Sequence, residues 1–445
     1  MNNTRRMTAT HKSNASLAET VSWLARCETL PAEVEAKARL LLLDTLGCAL
    51  AGLRHADVQK FGQALRLAFP GETAWPSSDI RLGPAGLAAL GAAAACWDEA
   101  CEGNAAAHGR PGLPVVPALL ALAATRDSSF GDLLLALTIG YEIGSRTGEA
   151  WRIPPGWHVD GSSHSLGVAA AAARLIAGPQ AMPGAIEAAA CQIPASLYLP
   201  ITVGSVLRNT YPAHAALLGM LAAAAAVAGF NMPHGALEEA RRRVLQAAAP
   251  ANVTAPGHWM ILDGYLKPFA AVRHTHYGVE AALRLRKRAE FSLERIGAIT
   301  LQVYPEAVQY CGNRAPRTAI QAQFSLSYAV AAALVFGDLG PEAYRHVGDA
   351  TIGRLERSVT IEADASRTRR SATLTIDVDG TRLTESVDVV AGDASRPMTE
   401  HQVVDKFTRY VQPSLDRRAV DALASFCLEG GRAEPARRCF DLANQ

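Results

Sequence analysis

The sequence predicts a mainly α protein, with a large all-helical domain and a smaller α+β domain. Two observations carry this. Through residues 17 to 266, alanine and leucine recur at helical spacing between breaks such as Pro31, Pro84, Pro111, Pro154 and Pro212. From residue 267 onward, alternating β-branched stretches appear between the helical ones. A chain of 445 residues also favours two cores over one.

Residues 1 to 16 are polar, with Arg5 and Arg6 but no apolar stretch of the kind a secretory signal carries, and read as a disordered lead. Residues 40 to 50 are apolar on nearly every side, with Asp44 the single charge, as a helix at the centre of a bundle should be. Small residues at 91–95, 169–173 and 222–226 would let helices approach closely. Residues 215 to 230, bracketed by His214 and Asn231 and short of a membrane span, read as a buried helix. Residues 267 to 395 form the α+β part. There, 298–304 and 358–363 read as strands, 372–378 and 382–390 flank the hairpin signal Asp379-Gly380, and helix intervenes at 322–336 and 341–345. Residues 396 to 445 return to helix.

The 43 basic and 42 acidic residues leave no global field, which argues against nucleic acid and membrane surfaces as partners. Any electropositive site must be local. The eight cysteines are scattered without metal-ligand spacing and read as reduced thiols of a cytoplasmic protein.

Lys267, Arg273, His274 and His276 stand within ten residues at the seam between the domains. Converging cations of this kind suit a ligand with several carboxylates, since arginine binds them bidentately and lysine as a point charge. A solvated basic helix start is the competing reading. If the segment is extended, His274 and His276 share a side, which opens a metal site as a minor alternative. Upstream, Asp98 and Glu102 have the spacing of one helix face and lead into a glycine-marked loop bearing His108. His158 precedes a hydroxyl-rich stretch that opens a small-residue helix, a setting that can receive an anion or simply cap the helix. Arg208 has no acid near it in sequence, and reads either as a ligand-binding cation or as an exposed helix end.

Asp98 with His108 and the run 111–118, Gly156-Trp157-His158, Gly204-Ser205 with Arg208, Lys267-Pro268-Phe269 with Arg273-His274, residues 324–329, and Gly392-Asp393 with Arg396-Pro397-Met398 together resemble the MmgE/PrpD family. This group includes 2-methylcitrate dehydratase, cis-aconitate decarboxylase and iminodisuccinate epimerase. The resemblance runs in order over nearly the whole chain. It implies a helical domain completed by the C-terminal segment, an α+β lid, a homodimer, and a site between the domains that needs no metal or cofactor. It places catalytic roles on His108, His158, Asp98 and Lys267, and substrate binding on Arg208, Arg273, His274 and Tyr211. The chain departs from the family pattern in four ways. Gly109-Arg110 is inserted before Pro111-Gly112; Arg208 stands where lysine is usual; Tyr211, Ala213 and His214 replace His, Gly and Arg; and the cysteines that commonly follow Lys-Pro-Tyr are absent.

The implied chemistry is proton removal from a carbon beside a carboxylate, with cations around the developing charge. The expected activity is that of a lyase dehydrating a hydroxylated di- or tricarboxylate. Epimerisation of a dicarboxylate, decarboxylation of an unsaturated tricarboxylate, and a non-catalytic carboxylate binder are the alternatives.

Overall fold

The helix Ala32–Gly52 is buried along most of its length because its apolar residues leave no polar face. In the computed structural model, which describes residues 15–442, the helices Pro84–Trp97, Gly112–Thr125 and Phe130–Ala150 pack against it. Small residues make such contacts tight: a Cβ on Gly140 would meet Gly167 O at 2.9 Å, and one on Gly167 would meet Gly140 O at 2.5 Å. These two glycines bring Phe130–Ala150 and Ser165–Ala177 together backbone to backbone.

The helical part is not wholly helical. Two small antiparallel pairs interrupt it, Pro70–Ala74 with Arg81–Leu82 and Trp157–His158 with Ser196–Leu197. The expected lead also ends early. Residues 1–14 lie outside the described residues, but Ala15 bridges to Val253, and Ser16 caps the helix Leu17–Ala25 in a capping box with Glu19. The alanine-rich helix runs from Tyr211 to Val227 and packs against Pro84–Trp97, Ser165–Ala177 and Met182–Ala190. It is buried on one side only. Leu221 and Val227 are exposed, which corrects the expectation of a buried helix to one buried on a single face. The helical run Val206–Val227 is long and apolar enough to cross a bilayer by length and composition, with 44% of that window buried.

Four strands form the main sheet in the spatial order Val359–Ala363, Ile296–Val303, Ala372–Val378, Thr381–Val387. The first pair is parallel and the others antiparallel. Ala372, Leu374, Ile376 and Val378 alternate inward, and the helices His276–Leu285 and Leu326–Phe336 complete this core. Ala372–Val378 has the bounds read from the sequence, the other three strands shift by one to three residues, and the hairpin closes at Asp379-Gly380 as read. Helix 322–336 is broken at Phe324, because Ser325 caps a new helix by accepting from Tyr328 N. Pro305–Cys311 and Ala350–Ser358 are helices that the sequence reading left unassigned.

The C-terminal helices Glu400–Val411 and Arg417–Glu429 pack on Ala32–Gly52. Lys406 donates to Asp44 Oδ1 at 2.6 Å and to Ala100 O at 2.7 Å, all within the core. A lone charge left in this core would lack both water and a partner. Lys406→Met should therefore destabilise the fold by roughly 3–5 kcal/mol, while adding Asp44→Leu should restore most of the loss. Denaturant midpoints test this, and a double variant no more stable than the single one would sink it.

Candidate active site

The chain turns sharply where the helix Pro84–Trp97 ends. Asp98 is its C-cap, and Glu99 takes a positive φ of 52°. This turn aims Glu99, rather than Asp98, into a cavity of about 200 Å³. Asp98 faces away and holds His55 Nε2 at 2.9 Å. The expected Asp98/Glu102 helix face is thus corrected, because the helix stops before it can form and Asp98 reaches neither His108 nor His158. Glu102 is buried behind the cavity, where it accepts from Gly112 N at 2.8 Å, Leu113 N at 3.2 Å and Tyr141 Oη at 3.3 Å. Burial pushes its carboxyl up to about 8.

The next segment closes into a tight loop. Asn104 N donates to Gly109 O, and Asn104 Oδ1 accepts from Ala106 N and Ala107 N. His108 sits at its tip with φ 52°, exposed and lining the cavity, and its side chain has no hydrogen bond among the described residues. Gly109 is required here, since a Cβ would lie 2.2 Å from His164 Nε2. Arg110 then turns inward and is buried.

His158 is fixed by its strand pairing with Ser196 and by the rings of Tyr198 and Tyr211, at 5.9 and 5.7 Å. Its Nδ1 accepts from Asp160 N at 3.1 Å. Burial pushes this imidazole down to about 4, against the pull of Asp160. Tyr211 does not line the cavity; its hydroxyl donates to Leu197 O at 2.8 Å, which corrects its expected ligand contact to a supporting one behind His158.

At the floor, Glu99 and Asp160 hold three cations. Lys267 Nζ donates to Glu99 Oε1 at 2.7 Å and to Glu99 O at 2.9 Å. Arg110 bridges Asp160 and, at 3.1 Å, Glu99; Arg208 contacts Glu99 and, at 3.4 Å, Asp160. The sequence assigned Arg208 no acid because both of its partners are about 50 residues or more away along the chain. Burial would raise Glu99, but the charges of Arg110, Arg208 and Lys267 hold it well below the usual carboxylate range. Burial lowers Lys267, with Glu99 opposing. Phe324 lies under the Arg208 guanidinium at 5.1 Å.

Arg273 and His274 form the opposite wall. Arg273 pairs with Asp393 and lies 4.5 Å over the Tyr265 ring. The segment is a 3-10 turn, Arg273–Thr275, entering a helix, so His274 reaches the cavity while His276 turns into the core and contacts Ala271 O at 3.0 Å. The shared side needed for a His274/His276 metal site is therefore absent. Among the described residues, no group of three or more His, Cys, Asp or Glu side chains is placed to hold a metal ion.

The sequence reading missed Asp160 and Glu99 as acceptors, and Tyr198, Tyr265, Glu306, Arg152 and Arg370 as lining groups. Asp160 lay within a stretch already read as a possible anion site. Glu99 lay between Asp98 and Glu102, in the acidic stretch read as one helix face, and the remaining groups carry no local signal. Among the described residues, the cavity is lined by six cations, Arg110, Arg152, Arg208, Lys267, Arg273 and Arg370, against three carboxylates, Glu99, Asp160 and Glu306.

The chain matches the MmgE/PrpD N-terminal domain over residues 15–254 and the MmgE/PrpD C-terminal domain over residues 269–429. Among curated relatives, it is 26% identical over 355 residues to a cis-aconitate decarboxylase of Aspergillus terreus, covering 72% of this chain and 71% of that one. A second cis-aconitate decarboxylase of Aspergillus terreus is 24% identical over 473 residues, covering 96% and 95%. The cis-aconitate decarboxylase-like protein oryM of Aspergillus oryzae is 26% identical over 356 residues, covering 72% and 74%. Both halves of the chain thus match one enzyme family, and Lys267 falls in the short interval between the two matched regions. This chain belongs to the MmgE/PrpD family.

Proposed function

We propose that this protein is a lyase that eliminates water from a hydroxylated di- or tricarboxylate, using neither metal nor cofactor. The observation that carries this reading is the charge at the cavity floor, where Arg110, Arg208 and Lys267 share only two carboxylates. A buried positive charge without a counter-ion is costly, and a ligand carboxylate would neutralise it.

The two histidines take different parts. Because His158 Nδ1 accepts a backbone N–H, its proton sits on Nε2, and at neutral pH the ring is an uncharged donor. It can hydrogen-bond an oxygen on which charge develops, but it has no free lone pair for a proton. His108, with both ring nitrogens unengaged among the described residues, is the base. His108 removes the proton beside the carboxylate and the electron pair becomes the new C=C bond. The hydroxide leaves with a proton from Lys267, whose ammonium burial makes more acidic, and departs as water. Arginine cannot give up a proton at neutral pH, so Arg208 and Arg110 hold charge only.

Decarboxylation of an unsaturated tricarboxylate is the second reading. It draws on the activity named for the relatives and on the fixed charge of Arg208 in place of lysine. We further propose a homodimer paired through exposed apolar side chains, among them Leu199, Val203, Leu207 and Leu221. Light scattering should then report twice the 47.0 kDa chain mass, and Leu199→Glu with Val203→Glu should shift it to monomer. A monomeric wild type would end that proposal.

Proton NMR in D2O with 2-methylcitrate, citrate, cis-aconitate and iminodisuccinate tests the reaction. Alkene formation is expected, and His108→Ala should slow it by roughly 10²–10⁴ without unfolding the protein. Loss of a carboxyl group from cis-aconitate would replace dehydration with decarboxylation. Deuterium entering an unchanged skeleton would replace it with epimerisation, and static spectra throughout would remove the lyase reading.

Acid stability tests the neutral imidazoles. His158 and His274 are held at about 4 and about 3, chiefly by burial, so below their ordinary value of 6.5 the unfolded chain binds protons that the native one does not. Their stabilising contribution is full above pH 6.5 and is lost as pH falls toward 4, at up to about 1.4 kcal/mol per pH unit for each. The unfolding midpoint should fall between pH 7 and 5, and His158→Gln should flatten that fall. Identical slopes for wild type and variant would contradict a neutral His158.

A further inference from the structure

Four of the six cavity cations, Arg110, Arg208, Lys267 and Arg273, are ion-paired to acids. Arg370 is half-buried in the same cavity and has no hydrogen bond or ion pair among the described residues. Its position is nonetheless fixed. It ends the loop between the strands Val359–Ala363 and Ala372–Val378, and Arg367 pins that loop by donating to Asp364 at 3.1 Å, Ser371 at 3.1 Å and Thr373 at 2.8 Å. Arg369, its neighbour, is exposed and lies outside the cavity lining. Of the three arginines at 367, 369 and 370, one holds the loop, one meets solvent and one is presented to the cavity.

Arg370 acts on the same imidazole as Lys267, since both add to the downward push on His274. Around it stand Tyr265, Tyr277, Tyr304 and Glu306. Glu306 lies near both Arg370 and Arg152, so this end of the cavity carries two cations against one acid. The cavity therefore has two positive poles, one on the floor beside His158 and one on the sheet-bearing side. A guanidinium in such a place has a planar pair of donors suited to a carboxylate, and nothing among the described residues fills them.

We propose that Arg370 is a specificity-determining residue that binds the carboxylate remote from the reacting carbon, while Arg208 and Lys267 bind the carboxylate beside it. This rests on the polycarboxylate reading of the same cavity. Two separated poles select acids whose carboxylates span them. A monocarboxylate would leave one pole unpaired.

Propane-1,2,3-tricarboxylate tests this. It has no hydroxyl or alkene to react, so calorimetric titration reads binding alone. Arg370→Gln should weaken its binding roughly 10- to 100-fold, the range of a charge-assisted contact. Arg370→Lys, which keeps the charge and loses the fork, should fall between that variant and wild type, and Arg369→Gln should stay within about 2-fold of wild type. The ligand-free melting temperature of Arg370→Gln should hold, because no internal bond is lost. Binding by Arg370→Gln within 2-fold of wild type, or an equal loss in Arg369→Gln, would overturn the assignment while leaving the polycarboxylate reading intact. If wild type bound neither this acid nor citrate nor cis-aconitate, both would fall together.

Discussion

Two carboxylates shared among three cations are the constraint on which this site depends. Glu99 follows the helix Pro84–Trp97, Asp160 precedes Ser165–Ala177, Arg208 lies in the turn before Tyr211–Val227, and Lys267 joins the two family domains. Their ion pairs tie together segments that local structure alone would leave independent. All are buried, so each charge has lost water and needs the others. Lys406 supports the arrangement from a further direction by holding the carbonyl of Ala100, next to Glu99. A cluster of this kind is poor evidence for stability and good evidence for positioning, since apolar residues would fill the same volume at lower cost.

The same arrangement divides the cations by function. Guanidinium groups stay charged, so Arg110 and Arg208 provide a fixed field. Lys267 is lowered by burial, with Glu99 opposing, and alone among these three is not a guanidinium fixed in its charge. The neutral His158 adds a donor without adding charge. A field built before the ligand arrives need not reorganise as charge moves in the reaction, which is where such sites gain most of their effect.

Much of this was legible in the chain itself. Periodicity located the central helix, and alternation with Asp379-Gly380 located the hairpin, because both patterns are set by burial on one face. His108, His158, Arg208, Lys267, Arg273 and His274 were picked out and do converge on one cavity. Asp98 was chosen over Glu99 because spacing assumes that the helix continues, and a single residue at positive φ exchanges which of two neighbouring acids points inward. Tyr211 was placed one layer too far forward, its hydroxyl being engaged by Leu197 O. Arg370 gave no sign because its role depends on Arg367 pinning a loop, and a run of charges in a sequence ordinarily means a solvated face.

Two stretches that the sequence reads as departures from the family pattern meet in space. Gly109-Arg110 and Arg208 lie far apart in the chain, yet Arg110 and Arg208 share Glu99 Oε2, Asp160 Oδ2 and the Cys96 sulfur as partners. Lysine at 208 would present a point charge, whereas the guanidinium divides its contacts, one terminal nitrogen meeting Glu99 and Asp160 and the other meeting the Cys96 sulfur and Asn209 Oδ1. Arg208 thereby occupies acceptor positions that Arg110 would otherwise take alone. Each arginine needs both acids, because two guanidinium groups around one carboxylate would leave a buried charge without compensation. With both acids engaged, the surplus is a single positive charge beside His158, placed where a ligand carboxylate can meet it.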